Sequence, residues 1–192
     1  MAKLYFRYGA MGCGKTALLL QVAFNYQERG MKAIVMKPEV DTKAGTKLQT
    51  RIGLEKDTDY LIKKKDHLYE VIHEKFSDAD CILIDEAQFL TRDQVNDLVK
   101  VVVKLDIVVM CYGLRTDFLT NGFEGATRLL EVANNIEELK TICKCGKKAL
   151  YNARFIDGKI VTKGESVVID NDSRVTYVAM CPKCYYEEID KK

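Results

Sequence analysis

Apolar runs and helix-spaced apolar positions alternate through the first two-thirds of the chain. Residues 4–8 (LYFRY) have the make-up of a short strand, and residues 16–29 (TALLLQVAFNYQER) predict a helix that Gly30 stops. Residues 32–37 (KAIVMK) predict a second strand, ended by Pro38. Residues 39–65 hold no long apolar run and are expected to form loop. A helical period returns at 66–76 (DHLYEVIHEKF), a buried strand follows at 81–85 (CILID), and 91–105 (TRDQVNDLVKVVVKL) predicts a helix capped by Thr91. Residues 107–113 (IVVMCYG) complete the series with another strand. Unbroken apolar strands separated by helices predict a mostly parallel sheet covered on both faces.

The pattern changes near residue 142. ALYNARF, KIVT, ESVVID and VTYVAM are short and β-branched, with a turn signal, Asp157-Gly158, between the first two. The expected boundary is near Thr141, with an α/β domain over 1–141 and a small β-rich lobe over 142–192. Residues 155–178 read as a long, polar, turn-rich segment able to cover a site.

Charge narrows the function classes. Lys and Arg total 30 against 28 Asp and Glu, a formal net charge of +2. That leaves no electrostatic footprint for nucleic acid or an anionic membrane. Lys63–Lys65 read as a solvated face, and His67 and His73 as surface residues of one helix. No apolar stretch reaches the roughly 18 residues of a membrane span, and the first residues are too short in apolar content for a signal peptide. A cytoplasmic protein is the expectation.

The 7 cysteines are an odd number without a leader, which argues against a disulfide framework. Cys13, Cys81 and Cys111 stand singly in or beside apolar runs and read as small buried thiols. Cys143, Cys145, Cys181 and Cys184 form two close pairs, CKC and CPKC, in the tail. Four thiolates from two knuckles suit a tetrahedral zinc, whose binding would stabilise a lobe too small to do so through its own core. Free reduced thiols are the plain alternative. Zinc ribbons serve many functions, so the cysteines do not name one.

The chemistry starts at residues 9–16, GAMGCGKT, which has the Gly-x-x-x-x-Gly-Lys-Thr spacing of a P-loop between a strand and a helix. Gly9, Ala10, Met11, Gly12, Cys13 and Gly14 would cradle phosphates with backbone amides at a helix N-terminus. Lys15 would reach the β- and γ-phosphates, and the Thr16 hydroxyl would ligate magnesium. The strand CILI then ends in Asp85, a carboxylate placed to hold magnesium, followed at once by Glu86. Glu86 could deprotonate a water, making an ATPase, or a substrate hydroxyl, making a kinase. Position alone leaves both open. The fold class implied is α/β: a mostly parallel-sheet P-loop core of RecA-like type with a small zinc-bound, β-rich lobe.

More specific stretches decide between them. GAMGCGKT, KPEVDTKAG (37–45), TRIGLE (50–55), DEAQF (85–89), CYGLRTDF (111–118), EELKTICKCGKKA (137–149) and the closing CPKC occur in the order and spacing of one family. Over about residues 3–186 the chain resembles the zinc-containing, P-loop thymidine kinases of bacteria and animal cytosol. The resemblance implies transfer of the ATP γ-phosphate to the 5′-hydroxyl of thymidine, a step of nucleoside salvage for DNA synthesis. It implies that Glu86 is the general base. Catalysis would then be positioning plus charge neutralisation by Lys15, magnesium and a basic side chain, with Arg115 or Arg128 as candidates. The resemblance adds Asp41 to the ATP and magnesium site. Met11, Phe89, Leu114 and Phe118 would line an apolar slot for thymine, which Asn152 and Tyr177 would close from the lobe. Backbone groups at Val167, Val168 and Ile169 would read the base edge.

The same resemblance implies magnesium with ATP, structural zinc on the four tail cysteines, a homotetramer, and feedback inhibition by thymidine triphosphate. No membrane or nucleic-acid partner is expected. Three positions depart from the family pattern: Lys43 stands where Arg is common, the Gly-Gly after VVI is absent, and the CKC gap is one residue. The competing readings are a P-loop ATPase with a nucleic-acid-binding zinc ribbon and a non-catalytic nucleotide-binding regulator. Neutral charge opposes the first, and the presence of both Lys15 and Glu86 the second.

Overall fold

A computed structural model describes residues 1–39, 45–164 and 174–191 of the chain. Asp41, Lys43, Val167, Val168, Ile169 and the strand expected at 165–170 lie outside the described residues.

The chain runs β1 (Leu4–Tyr8), α1 (Lys15–Glu28), β2 (Ala33–Pro38), β3 (Lys47–Gln49), β4 (Glu55–Asp57) and β5 (Tyr60–Ile62). It continues with α2 (Leu68–Lys75), β6 (Cys81–Ile84), a 3-10 turn at Ala87–Phe89, α3 (Arg92–Lys100), a π-helical turn at Val101–Leu105 and β7 (Val108–Gly113). After α4 (Glu124–Val132) and β8 (Asn135–Glu138) come β9 (Tyr151–Ile156), β10 (Lys159–Ile160), β11 (Val175–Met180) and α5 (Pro182–Asp190).

Six of the strands form one sheet in the order β5–β2–β6–β7–β1–β8. Its pairings are parallel throughout, as the apolar runs predict. Helices α2, α3 and α4 bury one face over Phe6, Ile34, Ile82, Ile84 and Val109, while α1 buries the other with Leu19 and Leu20 against Val35 and Leu83. This alternation along each strand explains why the runs are apolar at every position: both faces are covered.

Helix ends follow local chemistry. Thr91 caps α3 in a capping box: its hydroxyl accepts from the Gln94 N–H at 3.2 Å, and the Thr91 N–H donates to Gln94 Oε1 at 3.1 Å. The regular helix ends at Lys100, and the Val101–Val103 run continues as the wider π-turn. The β-branched residues crowd the preceding turn of a regular helix.

Three regions correct the sequence reading. Residues 39–65, expected as loop, contain the β3–β4 hairpin and β5, which pairs with β2 from Met36↔Tyr60 to Pro38↔Ile62. β8 (NIEE) adds a parallel edge beside β1, although it carries a single apolar residue. The β-rich tail ends in a helix, α5, which starts at the second cysteine pair with Cys181 as N-cap and Pro182 in its first turn. Short edge strands draw on the pairing groups of a neighbour rather than on their own apolar side chains, so pattern does not reveal them. The antiparallel sheet β10–β9–β11 is as expected for the described part of the tail. No described helix is long and apolar enough to cross a membrane.

Candidate active site

Strands β6, β7 and β1 are neighbours, so the segments leaving their C-terminal ends share one crevice: residues 85–89, 114–118 and the P-loop. Close packing forms its walls. A Cβ on Gly9 would meet the Leu139 carbonyl oxygen at 2.3 Å, and one on Gly113 would meet Gln88 Oε1 at 2.6 Å. Only glycine fits at either strand end. Inside the loop, Gly12 (φ 78°) and Gly14 (φ 83°) take the left-handed backbone that turns the chain into α1.

Lys15 is buried, and its ammonium donates to the Gly9 and Ala10 carbonyls at 3.0 and 3.2 Å. The Cys13 sulfur lies 3.6 Å from the same nitrogen. The Thr16 hydroxyl donates to Asp85 Oδ2 at 2.8 Å, so the two expected magnesium-holding side chains meet across 69 residues. Asp85 is 2% exposed, and its Oδ1 accepts the Glu86 N–H at 3.0 Å. Burial, with the negative charge of Glu86 beside it, pushes the Asp85 carboxyl up to about 7.

Glu86 itself has a left-handed backbone, φ 50°, at the change from strand to 3-10 turn. A non-glycine residue held there is costly unless its surroundings fix it. The Gln88 amide nitrogen donates to the Glu86 carboxylate, and Gln88 Oε1 accepts the Leu114 N–H at 3.0 Å. Gln88 is thus a buried bridge between Glu86 and the loop after β7. It was not singled out from sequence, where a glutamine after an acidic pair carries no distinctive signal.

The proposed slot residues divide in two. Met11, Phe89 and Leu114 are half-buried in the segments that form the crevice, and Tyr177 is half-buried on β11 opposite Arg154. Phe118 and Asn152 are buried. The Phe118 ring lies under the Arg154 guanidinium, 3.6 Å from carbon to ring centre, and its carbonyl accepts the Tyr185 hydroxyl at 2.8 Å. Asn152 Oδ1 accepts the Met11 N–H at 2.7 Å. Phe89 meets Phe123 edge-on at 5.6 Å.

Of the candidate cations, Arg115 lies over the Tyr8 ring beside the P-loop strand. Arg128 bonds Asn96 of α3 at 2.8 Å and Glu131 at 2.7 Å, clasping α3 to α4. Arg51, which sequence reasoning passed over, brings a guanidinium nitrogen 3.7 Å from where a Gly12 Cβ would stand.

The four tail thiols converge, with all sulfurs within 4.8 Å of one another and Cys145 and Cys181 at 3.6 Å. A tetrahedral zinc with bonds of about 2.3 Å sets its sulfurs about 3.8 Å apart, so the donor set and spacing suit that ion. The one-residue CKC gap is accommodated by a tight turn in which the Gly146 N–H donates to the Cys143 carbonyl at 2.8 Å. Burial opposes ionisation of Cys143, but backbone N–H groups of Cys145 and Cys181 overcome it and lower the thiol to about 6. Hydrogen bonding with the Cys145 and Cys181 sulfurs holds Cys184 up at about 12. A bound cation is what would let all four become thiolates together.

Comparison with known proteins decides the family. The thymidine kinase family profile matches residues 2–185. The chain belongs to the thymidine kinase family. Thymidine kinases similar to it include that of Francisella tularensis subsp. holarctica, 44% identical over 98% of this chain and 99% of that protein. Those of Photobacterium profundum, 45% identical over 100% of both chains, and Vibrio cholerae, 44% identical over 100% of both, match equally. Solved structures that overlap part of this thymidine kinase family member include AMPPCP-bound DnaA from Aquifex aeolicus. There the TM-score is 0.43 at 17% identity, over 72% of this chain and 40% of that one. Pif1 helicase from Candida albicans gives a TM-score of 0.45 at 14% identity, over 73% and 36%.

Proposed function

We propose that this chain, as a thymidine kinase, transfers the γ-phosphate of ATP to the 5′-hydroxyl of thymidine with Glu86 as the general base. The observation that carries the assignment is the placement of Glu86. Glu86 directly follows Asp85, the carboxylate that takes the Thr16 hydroxyl, and its own carboxylate is steadied by the Gln88 amide. A base so held could accept the 5′-hydroxyl proton as the hydroxyl oxygen attacks the phosphorus, while the bond to ADP breaks.

The P-loop amides of residues 9–16 and Lys15 would carry the charge that builds on the transferring phosphoryl. Thr16 and Asp85, with Asp41 by family resemblance, would hold magnesium, which neutralises phosphate charge when bound. Arg115 is the further cation of the original pair that lies near the P-loop. Met11, Phe89, Leu114 and Phe118 would line the thymine slot, Asn152 and Tyr177 would close it, and the backbone at Val167, Val168 and Ile169 would read the base. A flat apolar slot supplies affinity and fixed backbone groups supply selectivity.

We further assign a P-loop domain over 1–141 and a zinc-bound lobe over 142–192. The family resemblance supports a cytoplasmic homotetramer inhibited by thymidine triphosphate, with no membrane or nucleic-acid partner. The test is a nucleoside panel with ATP, scoring nucleoside 5′-monophosphate against free phosphate. Thymidine monophosphate as the dominant product is the expected result. Free phosphate released without dependence on any nucleoside would instead favour an ATPase.

A further inference from the structure

We propose that Asn152 is a positioning residue for the P-loop, through which the cysteine lobe holds the triphosphate cradle in shape. This rests on the reading of the chain as an ATP-dependent kinase and adds a role for the lobe beyond covering the nucleoside.

The cradle holds itself only in part: the Lys15 ammonium bonds the Gly9 and Ala10 carbonyls and the Cys13 N–H reaches the Ala10 carbonyl at 3.3 Å, and none of these bonds takes the Met11 N–H. Gly12 and Gly14 sit at φ 78° and 83°, and glycine gains so little from any one conformation that such a loop loses much entropy when fixed. Its entrance is tied by the Gly9 N–H to the Gly113 carbonyl at 3.3 Å, and its exit by α1, where the Leu18 N–H reaches the Gly14 carbonyl at 2.9 Å. Between those ties stands Met11, whose N–H is taken by Asn152 Oδ1 at 2.7 Å from 141 residues away.

Asn152 is firmly seated. It is 4% exposed and stands opposite Ala179 in the β9–β11 pairing. The Leu150 N–H donates to the Met180 carbonyl at 2.9 Å, next to Cys181. Tyr151 meets Tyr185 edge-on at 5.2 Å, next to Cys184. Tyr185 in turn gives its hydroxyl proton to the Phe118 carbonyl at 2.8 Å. One short path therefore runs from the four cysteines to the P-loop through Asn152, and a second to the loop after β7 through Tyr185. An amide oxygen suits the first path, since it accepts the Met11 N–H without setting a negative charge beside a triphosphate.

The experiment uses the zinc-loaded full chain and compares wild type with Asn152→Ala and Asn152→Asp. Removing one neutral hydrogen bond is worth roughly three- to tenfold. Asn152→Ala should weaken ADP binding by about that factor in calorimetry and speed hydrogen exchange at residues 9–16. Thymidine KM should change less than ADP affinity, and zinc content and melting temperature should stay near wild type. Asn152→Asp keeps the acceptor, so exchange at 9–16 should remain slow while the added charge weakens ADP binding. This second variant keeps the proposal testable even if the alanine variant folds poorly. Unchanged exchange and ADP affinity in Asn152→Ala, with loss of thymidine affinity alone, would overturn the proposal and leave Asn152 a nucleoside contact. Equal exchange in the Ala and Asp variants would also overturn it. ADP binding and exchange need no thymidine turnover, so a failed kinase assignment would be seen separately in the nucleoside panel.

Discussion

Leu4, Phe6, Leu83 and Val109 of the six-stranded sheet are buried to 1% exposure or less, beneath helices on both faces. The three-stranded sheet rests on a much smaller cluster in which Cys143, Cys181 and Cys184 stand beside Ala149, Ala153, Ile160, Met180 and Tyr185. The large sheet can thus draw on hydrophobic burial at most of its positions, whereas the small one has three of its eight core residues in a metal-ligand constellation. The contrast separates what stabilises each region from what each contributes to the site. The residues proposed to react stand at strand ends of the large sheet, and the lobe bonds the neighbouring loops through Asn152 of β9 and Tyr185 of α5.

The largest expected effect that would break this contrast comes from metal extraction. Structural zinc sites in small peptides supply roughly 10–16 kcal/mol of binding that is also folding free energy. A chelator applied to zinc-loaded protein should therefore unfold residues after about 142 while the sheet of β1, β2, β6 and β7 persists, seen as separate transitions in hydrogen exchange. A single transition shared by both regions would show that they are not stabilised separately. Next, Glu86→Gln should lower turnover by about 10²- to 10⁴-fold, the usual worth of a positioned base, with melting temperature and zinc content unchanged. Near-normal turnover would remove Glu86 from the mechanism.

Leu83→Ala sharpens the other side of the comparison. A fully buried leucine between β6 and α1 should cost about 2–5 kcal/mol in denaturant unfolding, with zinc retained. A cost below about 1 kcal/mol would mean that the large sheet is not held by its core.

The smallest effect concerns Asp85, whose carboxyl is pushed up to about 7 by burial and by Glu86, against about 3.9 when unfolded. The folded state binds this proton more tightly. Its stabilisation is therefore complete below about pH 4 and lost as pH rises through about 7. In the ligand-free protein, Asp85→Asn should raise stability at pH 8 by on the order of 2 kcal/mol and leave it unchanged near pH 4. Magnesium-dependent turnover should fall at the same time. Equal stability of the two proteins at pH 8 would show that the buried carboxylate carries no such penalty.

Much of this was legible in the chain. Local rules are strong where one residue type suits one geometry: glycines at the P-loop turns, Thr91 before a capping glutamine, and apolar runs where both sheet faces are covered. The GAMGCGKT and DEAQF stretches therefore announced the glycine-turned loop and the carboxylates at the strand ends, and the cysteine spacings announced the cluster of four converging thiols. What lay hidden was whatever depends on a distant partner. β8 is a strand because β1 offers it pairing groups, not because NIEE favours one, and YLI of β5, though strand-prone, is too short a run to stand out among its polar neighbours. Arg128 reads as an unattached cation in sequence, and only the fold sets Asn96 of α3 beside it. Gln88 is an ordinary polar residue in sequence, and Asn152 was named there by family resemblance only for the thymine slot; their bonds to Glu86 and Leu114 and to the Met11 amide are visible only once the chain is folded. The sequence by itself determined the chemistry of the loop and the strand ends, because those rest on local backbone and residue type. Which side chains hold that chemistry in register was decided by the tertiary structure, since a hydrogen bond across 141 residues leaves no trace in the spacing of neighbours.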